Sequence, residues 1–247
     1  MTLTIDQPAY FDRLAEVDAA HWWSRGLWRL GAYWLSAALE GRRSLGALDV
    51  GCGTGATALR LAARPEVAHV VGLDPSPEAL AHARRRHGFP LVLGSALDLP
   101  FQDGEMDLVT CFDVIQHLPE GTGRRAAAEI RRVLRGGGTA LVRSNARSDF
   151  GIGDLAGLFA SEGFAIRNAS RANCLPALAQ ELRGWIGGGR SEGRGGPSEG
   201  GLTIRMPPPW RNRMLGAVAT LEAALAGRLG VTLPFGHSTM ILAIKIV

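Results

Sequence analysis

Leu48-Asp49-Val50-Gly51-Cys52-Gly53-Thr54-Gly55 decides how the rest of this chain is read. A short apolar run, Ala47–Val50, precedes the glycines, and a helical segment near Thr57–Ala63 follows them. Glycine at alternate positions lets the backbone turn sharply and approach a ligand without side-chain collision. The helix beyond offers free N–H groups at its start. A turn of this composition alone can also be purely structural, so its surroundings matter.

Outward from it, β-type runs alternate with helical ones, the pattern of an α/β parallel sheet. The strands expected are Ala47–Val50, His69–Leu73, Pro90–Leu93, Met106–Cys111, Thr139–Ser144, Phe164–Ser170 and Met240–Val247. Helices fit at Thr57–Ala63, Pro77–His87, Gly123–Leu134 and Gly153–Glu162, with Gly136-Gly137-Gly138 expected to stop the third. The second strand ends in Leu73-Asp74, an acid 19 residues past Gly55. That spacing suits a carboxylate reaching ribose hydroxyls. The alternative is a capping aspartate ahead of Pro75-Ser76-Pro77. The dinucleotide fingerprint is Gly-x-Gly-x-x-Gly; Ala56 holds its last position, a residue that pattern sometimes allows.

With its leading Asp49, the glycine segment resembles the first motif of class I S-adenosylmethionine-dependent methyltransferases. Later segments agree in order: Gly94–Phe101, Asp107–Val109 through Gln116-His117-Leu118, and Glu129–Gly138. Together they cover about residues 45–145 and resemble the methyltransferase type 11 subgroup. The resemblance implies a Rossmann-like, seven-stranded, mostly parallel sheet with flanking helices, and S-adenosyl-L-methionine as cofactor. It implies that Asp49, Gly51, Cys52 and Gly53 line the methionine end, and that Asp74 holds the ribose with Pro75 against the adenine. It further implies that Ser95, Ala96 and Leu97 border the adenine and that Phe112 closes over the cofactor. Ser95 stands where many relatives carry aspartate, and Gly136 where proline is frequent.

The chain ends complete the expected plan. Residues 1–44 read as helical and rich in aromatics, with Asp12 or Asp18 as helix caps. His21-Trp22-Trp23-Ser24-Arg25 resembles a segment that precedes the core in a bacterial subgroup. That resemblance extends to Leu233–Ser238 and more loosely to Asn173 and Asn212. It implies a helical cap built from residues 1–44 and an insert, 171–238, around a core of 45–170 and 239–247. Trp22 and Trp23 offer a surface for substrate or sulfonium, or else anchor their helix. Arg25 is a candidate for the cofactor carboxylate or for a surface ion pair. Within the insert, a helical piece is expected near Leu175–Trp185. Gly187–Gly201 has eight glycines in 15 residues and is expected to be mobile. A helix near Asn212–Leu229 has Leu215, Val218, Leu221, Leu225 and Leu229 near one face, as for core packing.

Methyl transfer from a sulfonium is an in-line displacement that needs a base only when the nucleophile must lose a proton early. Histidine titrates near neutrality. His117 is the first candidate, with capping or packing beside Pro119 as the alternative; His21 and His237 follow.

Composition narrows the classes. Of 247 residues, 46% are hydrophobic, ample for a buried core. No apolar run is long enough for a membrane span, and the start lacks a signal-peptide pattern. Cys52, Cys111 and Cys174 are odd in number and lack zinc-ligand spacing, as in a reduced compartment; the expected location is the cytoplasm. The formal charge is +4 and Lys245 is the only lysine. The arginines are dispersed, so no nucleic-acid footprint is expected. The reading is a methyltransferase for a small-molecule acceptor in secondary or cell-envelope metabolism. An RNA or protein methyltransferase and a non-catalytic cofactor-binding or scaffold protein are the alternatives. Oligomeric state and the methyl acceptor are not encoded in any motif.

Overall fold

The computed structural model describes residues 8–145, 151–174, 206–236 and 238–247. The expected segments Leu175–Trp185 and Gly187–Gly201, and His237, lie outside the described residues. The described strands are β1 (Leu45–Val50), β2 (Val67–Asp74), β3 (Leu91–Leu93), β4 (Met106–Phe112), β5 (Leu134–Asn145), β6 (Phe164–Ala172) and β7 (Ser238–Lys245). They form one seven-stranded sheet in the order β3-β2-β1-β4-β5-β7-β6. Every pairing among β1 to β5 is parallel, and β7 runs antiparallel to both β5 and β6. This is the expected Rossmann-like sheet. The order reverses between β1 and β4, and such a switch point opens a crevice at the carboxyl ends of the strands.

All six residues of β1 are buried, as for a central strand covered on both faces. The helices are α1 (Pro8–Ala20), α2 (Trp22–Ala38), α3 (Ala56–Ala62), α4 (Pro77–Arg86), α5 (Gly123–Val133), α6 (Ile152–Ser161) and α7 (Pro209–Arg228). On one face Ile130, Val133, Leu155 and Phe159 from α5 and α6 meet Val109, Val142 and Ile241. On the other, Leu27, Leu30 and Leu35 of α2 meet Ala47, Leu108, Leu141 and Leu242. α2 is therefore a layer of the core. Its fit is close: a Cβ on Gly31 would stand 2.8 Å from Leu141 Cδ2.

α7 packs along α2, with Gly26 so near Ala219 that an added Cβ would come within 2.7 Å of the alanine Cβ. Asn212 clamps the pair. Its Oδ1 accepts the Trp22 N–H at 2.9 Å and its Nδ2 donates to the Ala20 carbonyl at 2.9 Å.

Three expectations need correction. The glycines 136–138 do not stop α5, which ends at Val133; they form the irregular start of β5, where the pairing with β4 shifts register. Neither Asp12 nor Asp18 caps α2: His21 does, its Nδ1 accepting the Trp23 N–H. The leucine stripe of α7 is not the packed face. Leu221 and Leu229 are exposed, and the buried side is Ala219, Glu222, Ala223 and Ala226. Small residues let two helices approach closely, and the larger side chains then turn outward.

Among the described residues no helix is long and apolar enough to cross a membrane. Lys245, the lone lysine, donates from Nζ to the Leu134 carbonyl and ties the end of β7 to the start of β5.

Candidate active site

The glycine turn leaves β1 at the switch point. Gly51 adopts φ +70° and a Cβ there would lie 2.2 Å from Val114 Cγ2, so only glycine fits between the turn and the segment after β4. Gly53, at φ +52°, has open space where a Cβ would point. Its N–H instead donates to Asp74 Oδ2 at 2.8 Å. The other oxygen, Oδ1, accepts the Ser76 N–H at 2.9 Å. Each carboxylate oxygen keeps acceptor capacity after one bond. The capping alternative for Asp74 is not what starts α4, because Ser76 caps that helix through the Ala79 N–H.

Asp49 lies beneath the turn. Its Oδ1 accepts from Thr110 Oγ1 at 2.6 Å, and its Oδ2 is buried with no hydrogen-bond partner among the described residues. Burial, reinforced by repulsion from Asp74 and Asp18, pushes the carboxyl up to about 7. Asp18 reaches the same place from α1: its Oδ2 accepts from Thr54 Oγ1 at 3.2 Å, and its carbonyl accepts from Ser24 and Arg60. Burial also raises the Asp18 carboxyl. Three acids from three elements thus surround the turn.

Cys52 Sγ points away from the cleft, against Gly72 of β2, and burial drives its thiol far up. Only its backbone is placed for a ligand. Ala96 is buried in the core beside Leu99, and Ser95 Oγ accepts the Leu97 N–H at 3.2 Å, so the segment expected to border the adenine is a compact turn.

At the carboxyl ends of β4 and β5 the structure assembles a group that sequence reasoning missed. Arg143, only 9% exposed, pairs with Asp113 through Nε and Nη2, and the Asp113 N–H donates to the Arg143 carbonyl at 3.0 Å. The guanidinium lies 5.3 Å from the Trp23 ring centre and 5.0 Å from that of Phe112. Asp113 holds a left-handed backbone, φ +57°. Gln116, in the 3-10 turn Ile115–His117, accepts Ser144 Oγ at 2.9 Å and the Asn145 N–H at 2.6 Å through Oε1.

The other expected residues divide. Trp23 and Phe112 meet here. His117 is exposed on the same turn, beside Gln116. His21 is buried as the α2 cap, and burial lowers its basicity. Trp22 and Arg25 line a separate cavity between α2 and α7. That cavity is lined by α2 and α7 rather than by the glycine turn. One signal for Arg143 was available: it is the only charged residue in the apolar run Thr139–Ser144.

Residues 47–138 match the family model described as a methyltransferase domain. This stretch is a methyltransferase domain of the class I S-adenosylmethionine-dependent kind. The family's methyl donor is S-adenosylmethionine. The domain's turn fits that group: an open backbone at Gly53, spare acceptors on Asp74 and an unpartnered buried oxygen on Asp49. An uncharacterized 37.1 kDa protein in transposon TN4556 of Streptomyces fradiae is 38% identical over 54% of this chain and 37% of its own length. A fatty-acid O-methyltransferase of Mycolicibacterium smegmatis is 36% identical over 51% of this chain and 44% of its own. The chain thus spans about two fifths of these curated relatives. Among solved structures, a chain from the complex of the Haloferax volcanii Trm112 methyltransferase activator with a methyltransferase has a TM-score of 0.61 at 16% identity, covering 97% of both chains. That similarity concerns the fold alone.

Proposed function

We propose that the chain moves a methyl group from S-adenosylmethionine to a small-molecule acceptor held beside Trp23, Phe112 and Arg143. The single observation that carries the reading is Asp74, fixed by the Gly53 N–H at the switch point with acceptor capacity left for two ribose hydroxyls. Asp49, Gly51, Cys52 and Gly53 would hold the methionine end, Cys52 and the glycines through backbone. Pro75, Ser95, Ala96 and Leu97 would border the adenine.

When bound, the cofactor supplies an activated methyl carbon. The chain's part is to align the acceptor with that carbon and to exclude water. Trp23 and Phe112 give flat apolar walls, with the Arg143–Asp113 pair between them. Gln116 fixes the turn after β4 against β5. His117, on that turn, takes a proton where the acceptor must lose one. α1 and the start of α2 stand over the turn through Asp18 and Ser24. Such a cover suits a small acceptor better than a macromolecule. The fatty-acid specificity of one relative is in keeping with this, and secondary or cell-envelope metabolism is the proposed setting.

The test is thermal unfolding with S-adenosylhomocysteine, NAD or neither, since a ligand of the folded state raises the midpoint. A rise with S-adenosylhomocysteine alone is expected; a rise with NAD alone overturns the reading.

A further inference from the structure

The α2–α7 pair has one-sided chemistry. α2 carries Arg25 and Arg29 and no acid. α7 carries Arg211, Arg213 and Arg228, and its one acid, Glu222, is buried and accepts the Cys174 N–H at 2.6 Å. Between the helices opens a cavity of about 210 Å³ lined by Trp22, Arg25, Arg29, Asn212, Arg213 and Thr220, among others, and, among the described residues, by no carboxylate. Arg29 donates to Thr220 there, a neutral partner.

Beside this cavity α7 turns apolar side chains outward. Trp210 is 66% exposed, Met214 51%, Leu221 59% and Leu225 38%. Positions 210, 214, 217, 221 and 225 follow steps of three and four, so they line one side of the helix over about 22 Å. Leu229, Val231 and Phe235 continue the exposed apolar surface. Of eleven exposed large hydrophobics among the described residues, seven lie between 210 and 235. Scattered apolar residues need no explanation, but a concentration of this kind marks an interaction surface.

Charge selects the occupant. At 100° per residue Arg211 and Arg213 fall on opposite flanks of the stripe. A second copy docked symmetrically by this face would set arginine against arginine. An anionic lipid surface accepts both features: phosphates take the flanking arginines, and Trp210 and the leucines enter the acyl boundary. We propose that the α7 face, with Arg25 and Arg29 at its border, docks this protein on anionic membranes as a peripheral protein. The proposal does not depend on methyl transfer.

Vesicle sedimentation of the full chain tests it, using phosphatidylglycerol mixed with phosphatidylcholine against phosphatidylcholine alone. Binding to the anionic vesicles should exceed binding to the neutral ones by about tenfold or more and weaken with salt. An Arg211→Gln/Arg213→Gln variant and a Leu221→Ser/Leu225→Ser variant should each lose about tenfold in binding. Both change exposed positions, so thermal unfolding with and without S-adenosylhomocysteine should match the parent and certify the fold. Absence of binding to anionic vesicles overturns the proposal. So does a dimer in light scattering that the leucine variant dissociates. Binding that free inorganic phosphate abolishes while the leucine variant leaves it intact would assign the arginines to a small anion instead, and also overturns it.

Discussion

The carboxylate of Asp74, at the end of β2, accepts the N–H of Gly53, in the turn after β1, at 2.8 Å. This contact joins the two strands that bracket the proposed ribose position, and it sets the shape of the turn as well as a ligand contact. Asp74→Asn keeps one acceptor oxygen and replaces the other with a donor. Its affinity for S-adenosylhomocysteine should fall about tenfold to a hundredfold, as expected when a charged hydrogen-bond partner is lost. Asp74→Ala should fall further. Isothermal titration measures both, and an unchanged affinity in the alanine variant would remove Asp74 from the site.

Asp49 makes the site sensitive to pH. Its carboxyl, near 3.8 in the unfolded chain, sits at about 7 when folded. The folded state therefore holds this proton more tightly, and its contribution to stability is present at low pH and lost as pH climbs between those values. The difference in unfolding free energy between the parent and Asp49→Asn should show that slope. A cationic cofactor favours the ionised carboxylate, so S-adenosylmethionine should bind more tightly as pH rises through about 7, with a proton released. Loss of this pH dependence in Asp49→Asn is the expected check.

Acceptor chemistry should separate from cofactor binding. Arg143→Met leaves Asp113 without its partner between two aromatic rings. It should raise KM for the acceptor or lower kcat about a hundredfold while S-adenosylhomocysteine affinity changes little. His117→Ala should slow turnover while S-adenosylhomocysteine affinity changes little. Equal turnover would leave His117 as a surface residue.

The contact of Gly26 with Ala219 has no slack. Gly26→Val should cost about 1–3 kcal/mol by overpacking the α2–α7 seam, measured by urea unfolding. A paired Ala219→Gly change should recover part of the loss, since it removes the atom that the new side chain meets.

Those two residues also show why α7 was misjudged from sequence. Helical spacing of leucines is visible in a string of letters, but the side that packs depends on how closely two backbones approach. Here alanine and glycine form the seam, so the leucines are left outside. The contact between the glycine turn and Asp74 was legible because the role proposed for them needs particular residue types at particular distances along the chain. Arg143 and Asp113 are 30 positions apart and meet only because β4 and β5 are neighbours. Asp18 looked like a cap because its partner, Thr54, lies 36 positions away. Of the proposed base candidates, His117 was marked by its place after a strand, and the exposure of its side chain has no trace in the sequence.

The antiparallel β7 has a topological consequence. Ala172 and Ser238, the ends of β6 and β7 at one edge, are paired in the ladder. The chain between them thus leaves and re-enters the sheet at adjacent points, an excursion whose described part includes α7. Such an excursion can change in length or composition without any strand shifting register. The glycine turn lies on the other half of the sheet, so what constrains the excursion is the α2–α7 seam at Gly26 and Ala219 and not the strand ladder.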